Sequence, residues 1–142
     1  MTLTRLAKAH LRRSVRFAVV GGSGVVVNVA ALYLLAHRLG VPKLAAAALA
    51  TEAGTLNNFA LHDRWTYADC LPERSLSARL LRFHASTALG AGLALLVFTG
   101  LYSELSLDYL LADLAGIGTA AVWYYISNGR FVWAPPIVGA PP

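Results

Sequence analysis

Apolar residues run in four blocks along the chain, at about 17–36, 44–61, 83–102 and 109–127, and the charges gather in short clusters between them. Each block is close to the ~20 residues that an α-helix needs to cross ~30 Å of hydrocarbon. The pattern therefore predicts an all-α integral membrane fold of four transmembrane helices. Short turns at Gly40-Val41-Pro42 and at 103–108 pair the helices as two hairpins. In the longer middle connection, Leu76, Leu80 and Leu81 recur at helical spacing beside Arg79 and Arg82, which predicts a short interfacial amphipathic helix at 75–82.

The second block is the least apolar, because it holds Thr51, Glu52, Thr55, Asn57 and Asn58. At 100° per residue, Thr51, Glu52, Thr55, Asn58 and His62 fall within an arc of about 120°. A carboxylate at mid-span costs several kcal/mol unless it is protonated, paired or wetted, so Glu52 heads a candidate polar groove. Asp113 and, at the other end of the fourth block, Tyr124, Ser127 and Asn128 share a face and form a candidate second wall. The competing structural readings are an interhelical hydrogen-bond cluster around a neutral Glu52, and a dipole-stabilised first-turn acid for Asp113.

Composition strengthens the membrane reading: 57% of the 142 residues are hydrophobic and 13% charged, too apolar for the core of a soluble domain. The net charge of +5 comes from arginines that flank apolar blocks instead of forming a stripe between stacking aromatics, so nucleic acid is not the expected partner. Arg5, Lys8, Arg12, Arg13, Arg16, Arg64, Arg74, Arg79, Arg82 and Arg130 lie on one side of the predicted topology, against Arg38 and Lys43 on the other. This bias puts the N- and C-termini in the cytoplasm, with Trp65, Tyr67, Phe131 and Trp133 in the aromatic belt. The first block has the length of a retained span and no clear cleavage site, so it is not read as a signal peptide. The single cysteine, Cys70, gives no disulfide or zinc site, and no motif calls for a cofactor or marks an enzyme or an ATP-hydrolysing engine.

Sliding the chain by 66 residues aligns Arg16-Phe17 with Arg82-Phe83, Gly24 with Gly90, and Arg64-Trp-Thr-Tyr67 with Arg130-Phe-Val-Trp133. The expected organisation is one transmembrane domain over 1–134, made of repeat halves at 16–67 and 82–133, followed by a Pro-rich tail at 135–142. Two-helix units repeat in the same orientation, and the seam between them is a natural substrate path. Arg16, Arg64, Arg82 and Arg130 then form a candidate phosphate-binding rim, with plain topology anchors as the competing reading.

The opening Arg16-Phe-Ala-Val-Val-Gly21, the run Asn58-Phe-Ala-Leu-His-Asp-Arg-Trp-Thr-Tyr67 and the ending Asn128-Gly-Arg-Phe-Val-Trp133 resemble the GtrA-like family over about 14–134. The resemblance implies a small four-helix protein of the bacterial inner membrane that takes part in cell-surface polysaccharide synthesis. It also implies translocation of a polyprenyl-phosphate-linked sugar made by a partner glycosyltransferase. The second half departs from the first, with Tyr124 in the place of Asn58 and Gly129 in that of Asp63. Two other functions compete: a proton-coupled exporter of small cations built on Glu52, against which the one-sided charge bias counts, and a non-transporting membrane anchor for a glycosyltransferase. Membrane lipids surround the protein in every case, and a homodimer is compatible with its Gly-rich faces.

Overall fold

The computed structural model describes residues 3–70 and 74–133, with side chains from His10 onward; the Pro-rich tail expected at 135–142 lies outside the described residues. The chain forms four long helices, α1 (Leu3–Tyr33), α2 (Lys43–Leu61), α3 (Leu76–Thr99) and α4 (Tyr109–Ser127). They pair as α1 with α2 and α3 with α4. The two compact units are Met1–Asp69 and Cys70–Pro142.

Among the described residues, three apolar segments are long enough to cross a membrane, at His10–Arg38, Leu76–Glu104 and Tyr109–Val132. α2 has 19 residues, or ~28 Å at 1.5 Å per residue, but the polar residues from Thr51 to Asn58 keep its composition below that of the other three. Leucines and valines stand exposed on all four helices, among them Val26, Leu44, Leu96 and Leu114, as expected of a surface solvated by acyl chains. Hydroxyls within the helices are satisfied locally: Thr55, Thr87, Thr99 and Thr119 each donate to the carbonyl oxygen four residues back, at 2.8–2.9 Å.

The interfacial helix expected at 75–82 is not a separate element. Ser75 caps α3, its side chain accepting from Ala78 N–H at 3.3 Å, and the helix runs unbroken from Leu76 to Thr99. A good cap and no Pro or Gly between 76 and 89 leave nothing to interrupt it.

Every helix closes in a five-residue π-helical turn, at Leu34–Arg38, His62–Thr66, Gly100–Glu104 and Asn128–Val132. The wide turns at 62–66 and 128–132 are sealed by Tyr67 N–H to His62 O and Trp133 N–H to Asn128 O, both 2.9 Å. The hairpin turns match as well. Val41 N–H meets Leu35 O at 2.9 Å and Leu107 N–H meets Leu101 O at 3.0 Å, each pulled round by a left-handed residue, Gly40 (φ 66°) and Ser106 (φ 51°).

These features recur at a constant spacing of 66 residues, and so does the packing. In the first hairpin Ala46, Ala50 and Gly54 are buried; in the second, Ala112, Gly116 and Ala120. Small residues at i, i+4 and i+8 let the backbones approach. A methyl group at Gly54 would lie 2.9 Å from Gly24 O, and one at Gly116 2.7 Å from Ala94 O.

Candidate functional site

The base of each hairpin is closed by an arginine near the start of the first helix and an aromatic in the last π-turn. Arg16 donates from Nη1 to Trp65 O at 2.9 Å and lies over the Trp65 ring, 5.4 Å from its centroid. Arg82 donates to Phe131 O at 3.1 Å and lies 4.7 Å over the Phe131 ring. Beneath these clasps, Tyr67 and Trp133 are almost fully buried. Arg16 and Arg82 are thus half-buried and partly committed to the backbone, whereas Arg64 and Arg130 are exposed on the π-turns.

Between α1 and α2 lies an open groove of about 350 Å3. Its polar lining is Asn28, Thr51, Thr55 and Asn58, and its floor includes Gly24 and Gly54. Asn28 Nδ2 donates to Thr51 Oγ1 at 3.4 Å, a long bond, while Asn57 Nδ2 reaches Ser23 Oγ at 2.9 Å beside it. The Asn58 amide fills the space over Gly24, and its Oδ1 has no hydrogen-bond partner among the described residues. A surface of neutral amides and hydroxyls with no ionisable group exchanges hydrogen bonds readily with hydroxyl-rich ligands.

Two of the predicted groove residues on the first hairpin lie elsewhere. Glu52 is exposed and does not line the groove. Its helical angle is 60–120° from those of Thr55 and Asn58, enough to turn it out of the α1–α2 interface. His62, just past α2, is buried, stacked on Phe17 with ring centroids 4.9 Å apart, and its Nδ1 is 3.0 Å from Thr66 Oγ1. Burial pushes its pKa down to about 4, so the ring is a neutral packing element.

The second hairpin has a smaller counterpart groove of about 250 Å3, lined by Ala94, Leu95, Phe98, Asp113, Gly116 and Ile117. Ala94 and Ile117 stand where the first hairpin has Asn28 and Thr51, so this groove is apolar apart from the exposed Asp113. Tyr124, in the place of Asn58, covers Gly90 and donates its hydroxyl to Thr87 O at 3.1 Å. Trp123 Nε1 donates to Ser86 O at 2.9 Å, and the Ser86 and Ser127 hydroxyls are 2.6 Å apart. Asn128 is buried, its Oδ1 without a hydrogen-bond partner among the described residues. Tyr124 and Asn128 therefore belong to the packing of the second hairpin.

Two features of the first hairpin are read from the sequence as packing or anchoring and not as parts of a site. Gly24 and Asn28 of α1 complete its polar groove, a pairing that needs the α1–α2 register. Arg12 and Arg13 join Arg16 around a cavity of about 200 Å3 with Thr66 and Asp69; a run of basic residues before an apolar block gives the same sequence signal as a topology anchor.

A family model described as GtrA/DPMS, transmembrane domain, matches residues 16–133. The chain is also similar to the dolichol-phosphate mannosyltransferase of Pyrococcus furiosus, at 37% identity over 127 residues that cover 89% of this chain and 35% of that protein. It spans about a third of that relative's length.

Proposed function

The chain belongs to the GtrA/DPMS transmembrane-domain family, and from that premise we propose that it carries the head group of a polyprenyl-phosphate-linked sugar across the membrane. The observation that supports this most is the uncharged polar groove between α1 and α2, in a protein whose other helix faces are largely apolar. Its amides and hydroxyls match the hydroxyls of a sugar, while the acyl-like tail stays in lipid beside the exposed leucines. The Pyrococcus relative's name specifies a dolichol phosphate and a mannose, which is lipid-linked sugar chemistry.

In this reading α2 is the fourth span. Its apolar residues Leu44, Leu49 and Leu56 face lipid, and Asn57 and Asn58 are turned to α1. Both termini are cytoplasmic, Arg16, Arg64, Arg82 and Arg130 form a cationic rim at that interface, and the substrate comes from a partner polyprenyl-phosphate glycosyltransferase. Translocation in this reading draws on no nucleotide hydrolysis by the chain and is downhill, coupled to a gradient, or driven by mass action.

The test uses proteoliposomes containing the full chain and a polyprenyl-phosphate hexose labelled in the sugar, with impermeant periodate added outside. The inner-leaflet pool becomes oxidisable with wild-type protein and stays protected when Asn58→Leu and Thr55→Val are combined. Protection of that pool with wild-type protein refutes translocation.

That outcome would leave the anchor reading, which one observation favours: the chain matches only a part, 35%, of a protein named as an enzyme. An anchor would instead lose co-purification with its glycosyltransferase on substitution of the exposed basic residues. The Glu52-based exporter has less support, because Glu52 stands outside the groove and no ionisable side chain lines it.

A further inference from the structure

A second cavity in the first hairpin has the opposite character to the groove. Arg12, Arg13 and Arg16 border about 200 Å3 together with Thr66 and Asp69. Three guanidinium groups face one carboxylate, leaving a surplus of positive charge in a space that is partly walled by protein. The guanidinium groups are held unequally. Arg16 is clasped to Trp65 O and the Trp65 ring. Arg13 lies 5.5 Å over the Tyr67 ring and donates from Nη2 to Asp69 Oδ2 at 2.8 Å. Arg12 is exposed.

Two of the guanidinium groups lie over aromatic faces, which restricts the rotamer freedom still to be lost when an oxyanion arrives. The Asp69 carboxylate already takes up one of these forks, as a bound oxyanion would. Plain topology anchoring does not account for the cluster. At the corresponding places the second hairpin has Ala78, Arg79, Arg82 and Val132, and Arg79 there is turned to Arg74 O at 2.8 Å. Among the described residues, the first hairpin gathers three arginines and a threonine round one cavity where the second has Ala78 and Val132 in two of the four places, and it is the hairpin with the polar groove.

We propose that the cavity bounded by Arg12, Arg13, Arg16 and Thr66 is a binding site for a phosphate group, and that Asp69 is a built-in competitor that occupies Arg13 until the phosphate displaces it. The site deepens the translocation reading, since it is where the phosphate of a lipid-linked sugar would be held. The shared chemistry is a phosphate oxyanion, whether from a polyprenyl phosphate, an anionic phospholipid or free phosphate.

Two substitutions break the same ion pair with opposite consequences. Arg13→Ala removes a ligand for phosphate; Asp69→Asn removes the competitor and leaves the guanidinium. With the full chain in phosphatidylcholine nanodiscs, binding is titrated separately with polyprenyl phosphate, phosphatidylglycerol and inorganic phosphate. For the source that fills the site, Arg12→Ala and Arg13→Ala each weaken binding about tenfold, the loss of a charge-assisted bond. Asp69→Asn tightens it about threefold, the scale of a partly exposed salt bridge.

If Asp69→Asn weakens binding as Arg13→Ala does, the pair is a structural strut and the proposal is overturned. It is equally overturned if no source responds to any of the three substitutions. The periodate assay on the same variants separates the two readings: translocation with unaltered phosphate binding removes only this site, while the expected binding pattern without translocation removes only the transport function.

Discussion

Asn58 and Tyr124 stand 66 residues apart at equivalent places, each over a glycine, and the difference between them decides what each hairpin can do. Tyr124 fills the space over Gly90 and satisfies its own hydroxyl on Thr87 O; Asn58 is smaller and leaves an open polar surface. Packing elsewhere is equally tight at single positions. Gly116→Ala should destabilise the protein by about 1–3 kcal/mol through the contact with the Ala94 carbonyl, seen as a lower thermal unfolding temperature in detergent. Ser106→Gly should raise that temperature, since a left-handed non-glycine residue costs about 1–2 kcal/mol and Gly40 shows that the same turn accepts glycine. For His62 the sign follows from its depressed pKa. The buried ring is neutral, its contribution to stability is complete above 6.5, and that contribution is lost as the pH falls towards 4. Wild-type protein should lose thermal stability over that window more steeply than His62→Gln, measured in parallel so that titrating carboxylates cancel.

At the scale of the helix, much was legible from the sequence. The four long helices and their pairing follow from where apolar runs stop and where Gly40 and the 103–108 segment turn the chain, and the family resemblance from the motifs ending α2 and α4. The start of α3 was misread because basic residues among leucines look interfacial, whereas Ser75 caps one continuous helix. The groove was only partly legible. An arc of about 120° admits Thr51, Glu52, Thr55 and Asn58 alike, but the line of contact with α1 is narrower, so Thr51, Thr55 and Asn58 fall inside it and Glu52 outside. The Arg12–Asp69 cavity was not legible at all, since it joins the start of one helix to the chain beyond the π-turn of the next. The element-level expectation is that Glu52→Gln leaves periodate access to the inner pool within about twofold of wild type, a change below 0.5 kcal/mol. Thr55→Val with Asn58→Leu should abolish that access without loss of unfolding temperature.

For the whole molecule, the proposed four-span topology predicts which residues reach each side of the membrane. In intact cells an impermeant maleimide should leave Cys70 unlabelled and should label Ser106→Cys in a Cys70→Ser background. Labelling of both would remove α3 as a span, because that helix alone separates the two positions. The 66-residue correspondence reaches from helix ends to the arginine clasps, yet the two copies are not interchangeable: one is open and polar, the other filled by aromatic and serine contacts. Tyr124 over Gly90 thereby sets a stoichiometry. Under the proposed translocation, an assembly of two identical open hairpins would hold two head groups and the tandem chain one. Bound lipid-linked sugar should saturate at one equivalent per polypeptide, and at two in a homodimer.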